Sequence, residues 1–434
     1  MANQTDFNKY LSNIEPSKTT IAYISSVQRN LRDFLKNHEK YGEVFNYSFL
    51  SGSYSKHTSI RPSKNDNKRD VDIIVVTKCE RDSDSRVVLQ DLLNVLLEND
   101  DYSSAEVQHH SIGIELSGIS IDVVPVIEDK IDDSLYFVCD SRTGLWIKTD
   151  PKGHKAWSTR INQENNDAYK PLVKIIKWWR KIHCPKNIKY PKGIALEKII
   201  ADNIGDSSQS TEDLLIETMQ NIVCAYKDEY ADYNTMPFLA DPSDKIENND
   251  LLNGYGATDF AQFVYKLEEH LEVLNENGTD NDVWKRILGN EFPASESTKS
   301  TNSTLLCSSA PHRKKPMWPM ARGGGAFISL KVFDPQHNRI EYQSDGDALE
   351  KGCSLHFRVL TNIKSPFVVK WQITNTGNEA REANCLRGDF EDSDEGLMGK
   401  REETSYSGSH SVQCFIIKHG ICVAKSRCYI INIK

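Results

Sequence analysis

Three aspartates set in apolar surroundings are the residues of this chain whose types and spacing could do chemistry together. Asp70 and Asp72 flank Val71 at the start of the run Ile73-Ile74-Val75-Val76, and Asp122 lies between Ile119, Ile121 and Val123-Val124. Side chains of a strand alternate between its faces, so Asp70 and Asp72 point the same way, and a neighbouring strand can bring Asp122 beside them. A carboxylate in such a run is costly to bury without a partner. Three that converge raise one another's pKa unless a cation compensates. Hard oxygen ligands suit Mg2+, with Mn2+ as a substitute, and Mg2+ keeps waters and takes substrate phosphates. Two such ions can activate an attacking hydroxyl and stabilise a leaving pyrophosphate in an in-line displacement, so the expected cofactor is a pair of Mg2+ ions held by Asp70, Asp72 and Asp122.

A phosphate-binding turn is the natural companion of such a centre. Gly52-Ser53 follows the apolar pair Phe49-Leu50. A glycine there lets the backbone approach a phosphate while the serine hydroxyl and nearby N–H groups donate to it. One loop then carries Lys56, Arg61, Lys64, Lys68 and Arg69 before the aspartate pair. Further on, Lys170, Lys174, Lys177 and Lys181 fall on one stripe at helical spacing, opposite an apolar face of Val173, Ile176 and Trp179. That stripe either meets phosphate or is a solvated basic face. His109-His110 lies near no partner at ligand spacing and reads as a solvated loop.

The elements that must position these groups follow from periodicity. A long helix begins at Ser17, strands are predicted over 44–50 and 71–77, a helix over 86–97, and a hairpin over 112–126 turning near Gly118. Helices follow over 169–182, 194–204, 212–227 and 258–275. Residues 293–316 are crowded with Ser and Thr and poor in apolar residues, which marks a linker. Beyond it, short runs over 327–333, 355–360, 367–374, 412–418 and 422–433, with turns at Asp345-Gly346, Thr376-Gly377 and His419-Gly420, predict an all-β, immunoglobulin-like sandwich. The expected fold class is α+β. Trp371 is read as a core residue of the sandwich, and Gly323-Gly324-Gly325 as a pliable strand entry.

Composition excludes several other roles. With 38% hydrophobic residues and no apolar run near the ~20 residues of a membrane span, the chain has no membrane segment. Lys and Arg number 53 against 62 Asp and Glu, and a formal charge of −9 offers no global positive field for long nucleic acid. The ten cysteines include no C-x-x-C pair, so reduced thiols are expected rather than disulfides or structural zinc. The polar first ten residues do not resemble a secretory signal, and a cytoplasmic location is expected.

Taken together, Gly52-Ser53-Tyr54-Ser55-Lys56-His57-Thr58, Asp70-Val71-Asp72 and Asp122 resemble the nucleotidyltransferase core of the DNA polymerase β superfamily. More narrowly, they resemble the cyclic GMP-AMP synthase and DncV-like nucleotidyltransferases, bacterial relatives of the oligoadenylate synthetases. The likeness extends to Ile175-Ile176-Lys177-Trp178-Trp179, Ala195-Leu196-Glu197, the loop Leu239-Ala240-Asp241-Pro242-Ser243-Asp244 and the segment from Trp284 to Phe292, and so covers roughly residues 17–292. His57 stands where the family usually has glycine. Residues 317–434, with Tyr342-Gln343-Ser344-Asp345-Gly346 and Val369-Lys370-Trp371-Gln372, resemble the C-terminal sensor domain found fused to such enzymes.

The resemblance implies a polymerase-β-type lobe with a mixed sheet over 1–150, a helical lobe over 151–292 completing a nucleotide cleft, the linker, and the sandwich over 317–434 as a sensor. It implies that Asp122 lies closest to the attacking hydroxyl, that Ser53 and Lys56 touch the donor triphosphate beside Gly52, and that Lys174 and Lys177 face the same phosphates. The implied activity joins nucleoside triphosphates, ATP among them, into a cyclic oligonucleotide for antiphage signalling, with a separate effector protein binding the product. An infection-related ligand or regulatory protein is expected at the C-terminal domain, and residues 1–292 are expected to fold alone. The residues themselves leave open linear oligoadenylate synthesis, nucleotidyl transfer to RNA or protein, and a silent nucleotide-binding scaffold.

Overall fold

Two helices open the chain, α1 (Gln4–Ile14) and α2 (Lys18–Asn37), and the Ser17 hydroxyl caps the second by accepting the Thr20 N–H at 3.2 Å. The short first helix lies outside the sequence expectation, although Phe7, Tyr10 and Ile14 fall on one buried face. The computed structural model describes residues 3–62, 70–132, 135–294, 310–321 and 324–434. These form two units, one of Leu11–Asp202 with Pro237–Gly256, the other of the residues up to Tyr10, Asn203–Met236 and Ala257–Lys434.

In the first unit, α3 (Tyr41–Val44) leads into β1 (Phe45–Leu50), a one-turn helix α4 (Gly52–Ser55) and β2 (Asp70–Thr77). Then follow α5 (Ser85–Leu96), β3 (Glu106–Val107), β4 (Ile112–Leu116), β5 (Ile119–Glu128), β6 (Tyr136–Cys139) and β7 (Trp146–Thr149). The sheet runs β1-β2-β5-β4-β3, with β6 on β5 and β7 on β6, and it is mixed because β2 and β5 pair in parallel while the other pairs are antiparallel. Gly118 turns the expected hairpin between β4 and β5 with φ +75°. Strand alternation divides the side chains cleanly. Val71, Ile73 and Val75 join Leu31, Leu35, Leu89 and Leu92 in a core against α2 and α5, whereas Ile74 and Val76 face the other way, with Val126 and Tyr136. The aspartates of β2 lie on this second face. The unit is completed by α6 (Pro151–Glu164), α7 (Tyr169–His183) and α8 (Gly193–Asp202).

The second unit holds α9 (Thr211–Tyr226), α10 (Ala257–Asn277) and α11 (Asn281–Leu288), so the helices of the expected 151–292 lobe are divided between the units. The reason is visible in α9, which buries Leu214, Leu215, Ile216, Met219, Ile222 and Val223 around its circumference and so must be covered on several sides. Two antiparallel sheets follow. One contains β8 (Ala326–Phe333), β9 (Arg339–Ile340), β10 (Ser354–Thr361) and β13 (Gly399–Glu403) in the order β13-β10-β8-β9. The other contains β11 (Val368–Thr374), β12 (Arg387–Asp392), β14 (Gly408–Lys418), β15 (Ile421–Lys425) and β16 (Tyr429–Ile433), with a short helix α12 (Asn378–Glu382) after β11. Both sheets contribute to one core around Trp371, which is fully buried and donates its indole N–H to Ser393 Oγ at 3.0 Å. The run expected over 422–433 is two strands. Ser426 interrupts it, because its hydroxyl takes the Cys414 N–H at 3.0 Å in place of a ladder bond. Most of the expected linker, 295–309, lies outside the described residues, as does Gly323. Among the described residues no helix is long and apolar enough to cross a membrane.

The sandwich meets the helices of its own unit along a polar seam. Lys331 Nζ pairs with Asp206 at 3.0 Å and donates to Ser208 Oγ at 2.7 Å; Ser329 donates to Gln209 at 2.7 Å, and Arg358 pairs with Glu217 at 3.4 Å. Two carboxyls lie beside it. Glu212 accepts the Trp284 indole N–H at 2.7 Å, and Asp213 accepts from the Ser210 hydroxyl at 3.0 Å. Burial, then the charge of Asp213, pushes Glu212 upward; burial pushes Asp213 upward against the Ser210 and Ser329 hydroxyls. Their folded values thus lie above the unfolded ones of about 4. The stability they give is present below about pH 4 and is lost as the pH rises through the folded values. Thermal melts should therefore show a higher midpoint near pH 5.5 than near pH 8, and Glu212→Gln should shrink the difference; an unchanged difference would remove Glu212 as its source.

Candidate active site

The carboxylates are gathered by register. In the parallel β2–β5 pair Asp72 stands opposite Asp122, and Asp70 opposite Ser120, with Ile73 and Val123 turned to the core behind them. Leu50 pairs with Ile73, so β1 ends beside the start of β2 and delivers the next residues onto Asp72. The Ser51 N–H donates to the Asp72 carbonyl at 2.9 Å. Gly52 follows at φ +62°, and a Cβ there would lie 1.7 Å from Asp72 Oδ2. Only glycine satisfies both the left-handed backbone and the close approach.

The rest of the turn is hydrogen-bonded to itself. The Lys56 N–H bonds the Gly52 carbonyl at 3.3 Å, and the Thr58 N–H bonds that of Ser53 at 2.9 Å. His57, at the position usually glycine, adopts φ +60°. The histidine therefore keeps the conformation that a glycine would supply, at a cost of about 1 kcal/mol.

These groups line a cleft of about 890 Å³, toward the upper end of the roughly 300–1,000 Å³ usual for ligand sites. Gly52, Ser53, Lys56, Asp70, Asp72, Asp122 and Lys177 all border it. Its floor continues over Ile74, Val124, Val126 and Val138, the apolar members of the same sheet face. Lys174 is not among the lining residues; it pairs with Glu15 at 2.6 Å. The lysine stripe is thus shared, because the turn before α2 sets Glu15 beside Lys174 while Lys177 and Lys181 reach the cleft. Lys64, Lys68 and Arg69 lie outside the described residues.

Electrostatics marks the carboxylates as short of positive charge. Burial first, then Asp72 and Asp70, pushes Asp122 up to about 6. Burial and Asp70 raise Asp72, while Lys56 and Lys177 pull it partly back. Asp122 Oδ1 is buried without a hydrogen-bond partner. Among the described residues, no three His, Cys, Asp or Glu side chains form a ready-made metal cage. The donor set nevertheless fits hard divalent cations, since an orphaned carboxylate oxygen among mutually repelling carboxylates is what such an ion would satisfy.

Several groups at or near the cleft were given no role in the site by the sequence reading. Glu197 on α8 is fully buried and receives Lys56 Nζ and Lys177 Nζ, each at 2.6 Å, and the Thr58 hydroxyl at 2.9 Å. Burial favours its neutral form, but the Lys177 and Lys56 charges outweigh that and hold it down at about 2. Its signal was the one that singled out Asp122, a carboxylate within an apolar run, here Ala195-Leu196 and Ile199-Ile200. His110, expected in a solvated loop, bonds the Cys139 carbonyl at 2.7 Å and borders the cleft. The Asp-Pro loop is tied to the start of α6, with Asp241 on His154 at 2.8 Å and Ser243 on Asp150 at 2.6 Å.

Comparison with known proteins gives this arrangement a context. The family model described as Second Messenger Oligonucleotide or Dinucleotide Synthetase domain matches residues 1–162, and that of the Adenylyl/Guanylyl and SMODS C-terminal sensor domain matches residues 308–434. Over 318 residues the chain is 35% identical to the cyclic AMP-AMP-AMP synthase of Acinetobacter sp. (strain ATCC 27244 / 9458), an overlap of 71% of this chain and 91% of that one. The CD-NTase CdnG of Bradyrhizobium diazoefficiens, solved with GTP, superposes with a TM-score of 0.55 at 13% identity, over 67% of this chain and 95% of that one. CdnC of E. coli MS115-1, solved with HORMA-deltaN, gives 0.52 at 17% identity, over 68% and 99%. At these identities the two structures speak for the polymerase-β-like fold alone. The sequence relationship goes further: this chain belongs to the second messenger oligonucleotide or dinucleotide synthetases, and it is a nucleotidyltransferase of the cyclic oligonucleotide synthase family with a C-terminal sensor-type domain.

Proposed function

We propose that the protein joins nucleoside triphosphates, ATP among them, into a cyclic oligonucleotide second messenger for antiphage defence, releasing one pyrophosphate per linkage. The observation that carries this reading is the pairing of Asp72 with Asp122 under the Gly52 turn, at the edge of a cleft with an apolar floor. The inclusion of ATP is supported by the relative named for an all-AMP product. Asp70, Asp72 and Asp122 would hold the divalent ions, Mg2+ or Mn2+, which would supply charge to both the attacking hydroxyl and the departing pyrophosphate. Asp122 is the residue nearest the attacking hydroxyl in this reading. Ser53 and the Gly52 turn approach the donor phosphates, and Lys56 and Lys177 carry the positive charge facing them.

The enzyme would work in the cytoplasm, where nucleoside triphosphates are supplied and its free thiols stay reduced. A separate effector protein would bind the product. The C-terminal domain would receive an infection-related ligand or a regulatory protein; HORMA-deltaN bound to CdnC is a precedent of the second kind. Incubating the purified full chain with labelled triphosphates and Mg2+ or Mn2+, followed by mass spectrometry and by phosphatase and nuclease treatment, tests the reading. A phosphatase-resistant ring containing AMP is expected, whereas linear or absent products overturn it.

The two halves of the lysine stripe provide a second check. Lys177→Ala should raise the KM for triphosphate about tenfold, because a charge-assisted contact in the cleft is lost. Lys174→Ala, which breaks only the pair with Glu15, should change it less than twofold. Equal effects in steady-state kinetics would mean that the stripe acts only as a diffuse field.

A further inference from the structure

We infer that Glu197 is a positioning residue for the triphosphate, fixing the ammonium groups of Lys56 and Lys177 beside Asp72 before substrate arrives. The inference rests on the nucleotidyl-transfer reading above. A fully buried glutamate on a helix face otherwise made of Ala195, Leu196, Ile199 and Ile200 adds nothing to packing that an apolar residue would not add better. Its partners supply a reason for it. Lys56 and Thr58 come from the phosphate turn and Lys177 from α7, so one carboxylate on α8 ties three separate segments together.

The charge balance suits the task. Two ammonium groups on one carboxylate leave one net positive charge at the cleft wall. Both lysines also act on Asp72. An ammonium has three donors. Lys177 spends all three, on Glu197 at 2.6 Å, Thr58 Oγ1 at 3.0 Å and the Thr58 carbonyl at 3.3 Å, whereas Lys56 directs one to Glu197 at 2.6 Å. Donors thus remain on Lys56 for a phosphate oxygen, on a flexible side chain whose rotamer is already set.

The test uses the full chain and two measurements, ATP affinity by calorimetry without turnover and steady-state pyrophosphate release. Glu197→Gln should weaken ATP binding and raise its KM about tenfold while kcat changes much less, the pattern of lost uniform binding. Adding Lys56→Gln to Glu197→Gln should cost little more, because the two act as one unit. Should Glu197→Gln not fold, Thr58→Val removes one bond to the carboxylate without unbalancing charge, and a rise of about threefold in KM is expected. A folded Glu197→Gln protein with unchanged ATP affinity and KM, or full additivity with Lys56→Gln, overturns the inference, as does an unchanged KM in Thr58→Val. Absence of pyrophosphate release by the unmodified chain would instead defeat the transfer reading, leaving the affinity comparison to judge Glu197.

Discussion

Asp72→Asn combined with Asp122→Asn should abolish product formation, by at least about 10³-fold, while leaving the melting temperature equal or higher. The two carboxylates face each other across a parallel pair, and burial first, then the charge of Asp72, raises Asp122. Replacing both removes the repulsion and the burial of charge, so the fold has nothing to lose. In the proposed reading catalysis would lose the donor set for the divalent ions, a contribution of several kcal/mol to charge stabilisation, and each ~1.4 kcal/mol is tenfold in rate. Mass spectrometry of the products, with a thermal melt of the same sample, decides it. Turnover within tenfold of the parent chain would remove these residues from the reaction, and a collapsed melt would mean that they serve the fold.

Deleting residues 293–434 should destabilise what remains, lowering the melting midpoint of the residual helices by roughly 5–10 °C at about 2–4 °C per kcal/mol. The composition of the linker suggests the opposite, a core that folds alone. However, α9 and α10 belong to the same unit as the two sheets. Truncation would expose one side of α9 and strip Asp206, Gln209, Glu217 and Asn275 of their partners Lys331, Ser329, Arg358 and the Ala326 N–H. Exposed apolar surface should bind a hydrophobic dye. A truncated chain that melts like the full one would make the sandwich an independent attachment.

Much of the fold was legible because its signals are local. The β-branched runs Val71–Val76 and 119–126 give strands, the period of 3.6 in 169–182 gives α7, and Ser17 announces α2. The same reading put Asp70, Asp72, Asp122 and Gly52 at the centre, since a carboxylate in an apolar run and a glycine after a strand are costly choices without a use. Beyond reach were matters that no local pattern encodes. Parallel register alone sets Asp72 against Asp122, and it arises from hydrogen bonds between strands about fifty residues apart. The fate of each lysine was also a tertiary matter, because a helical stripe fixes a direction but not what stands opposite: Glu15 for Lys174, Glu197 for Lys177. Likewise the linker's composition described its own backbone and said nothing of Lys331, Ser329 and Arg358 on the strands beyond it. The sequence by itself determined which residues are candidates for the chemistry, since residue type and spacing are covalent properties; the tertiary structure decided which of them meet, since long-range pairing depends on the packing of the whole unit.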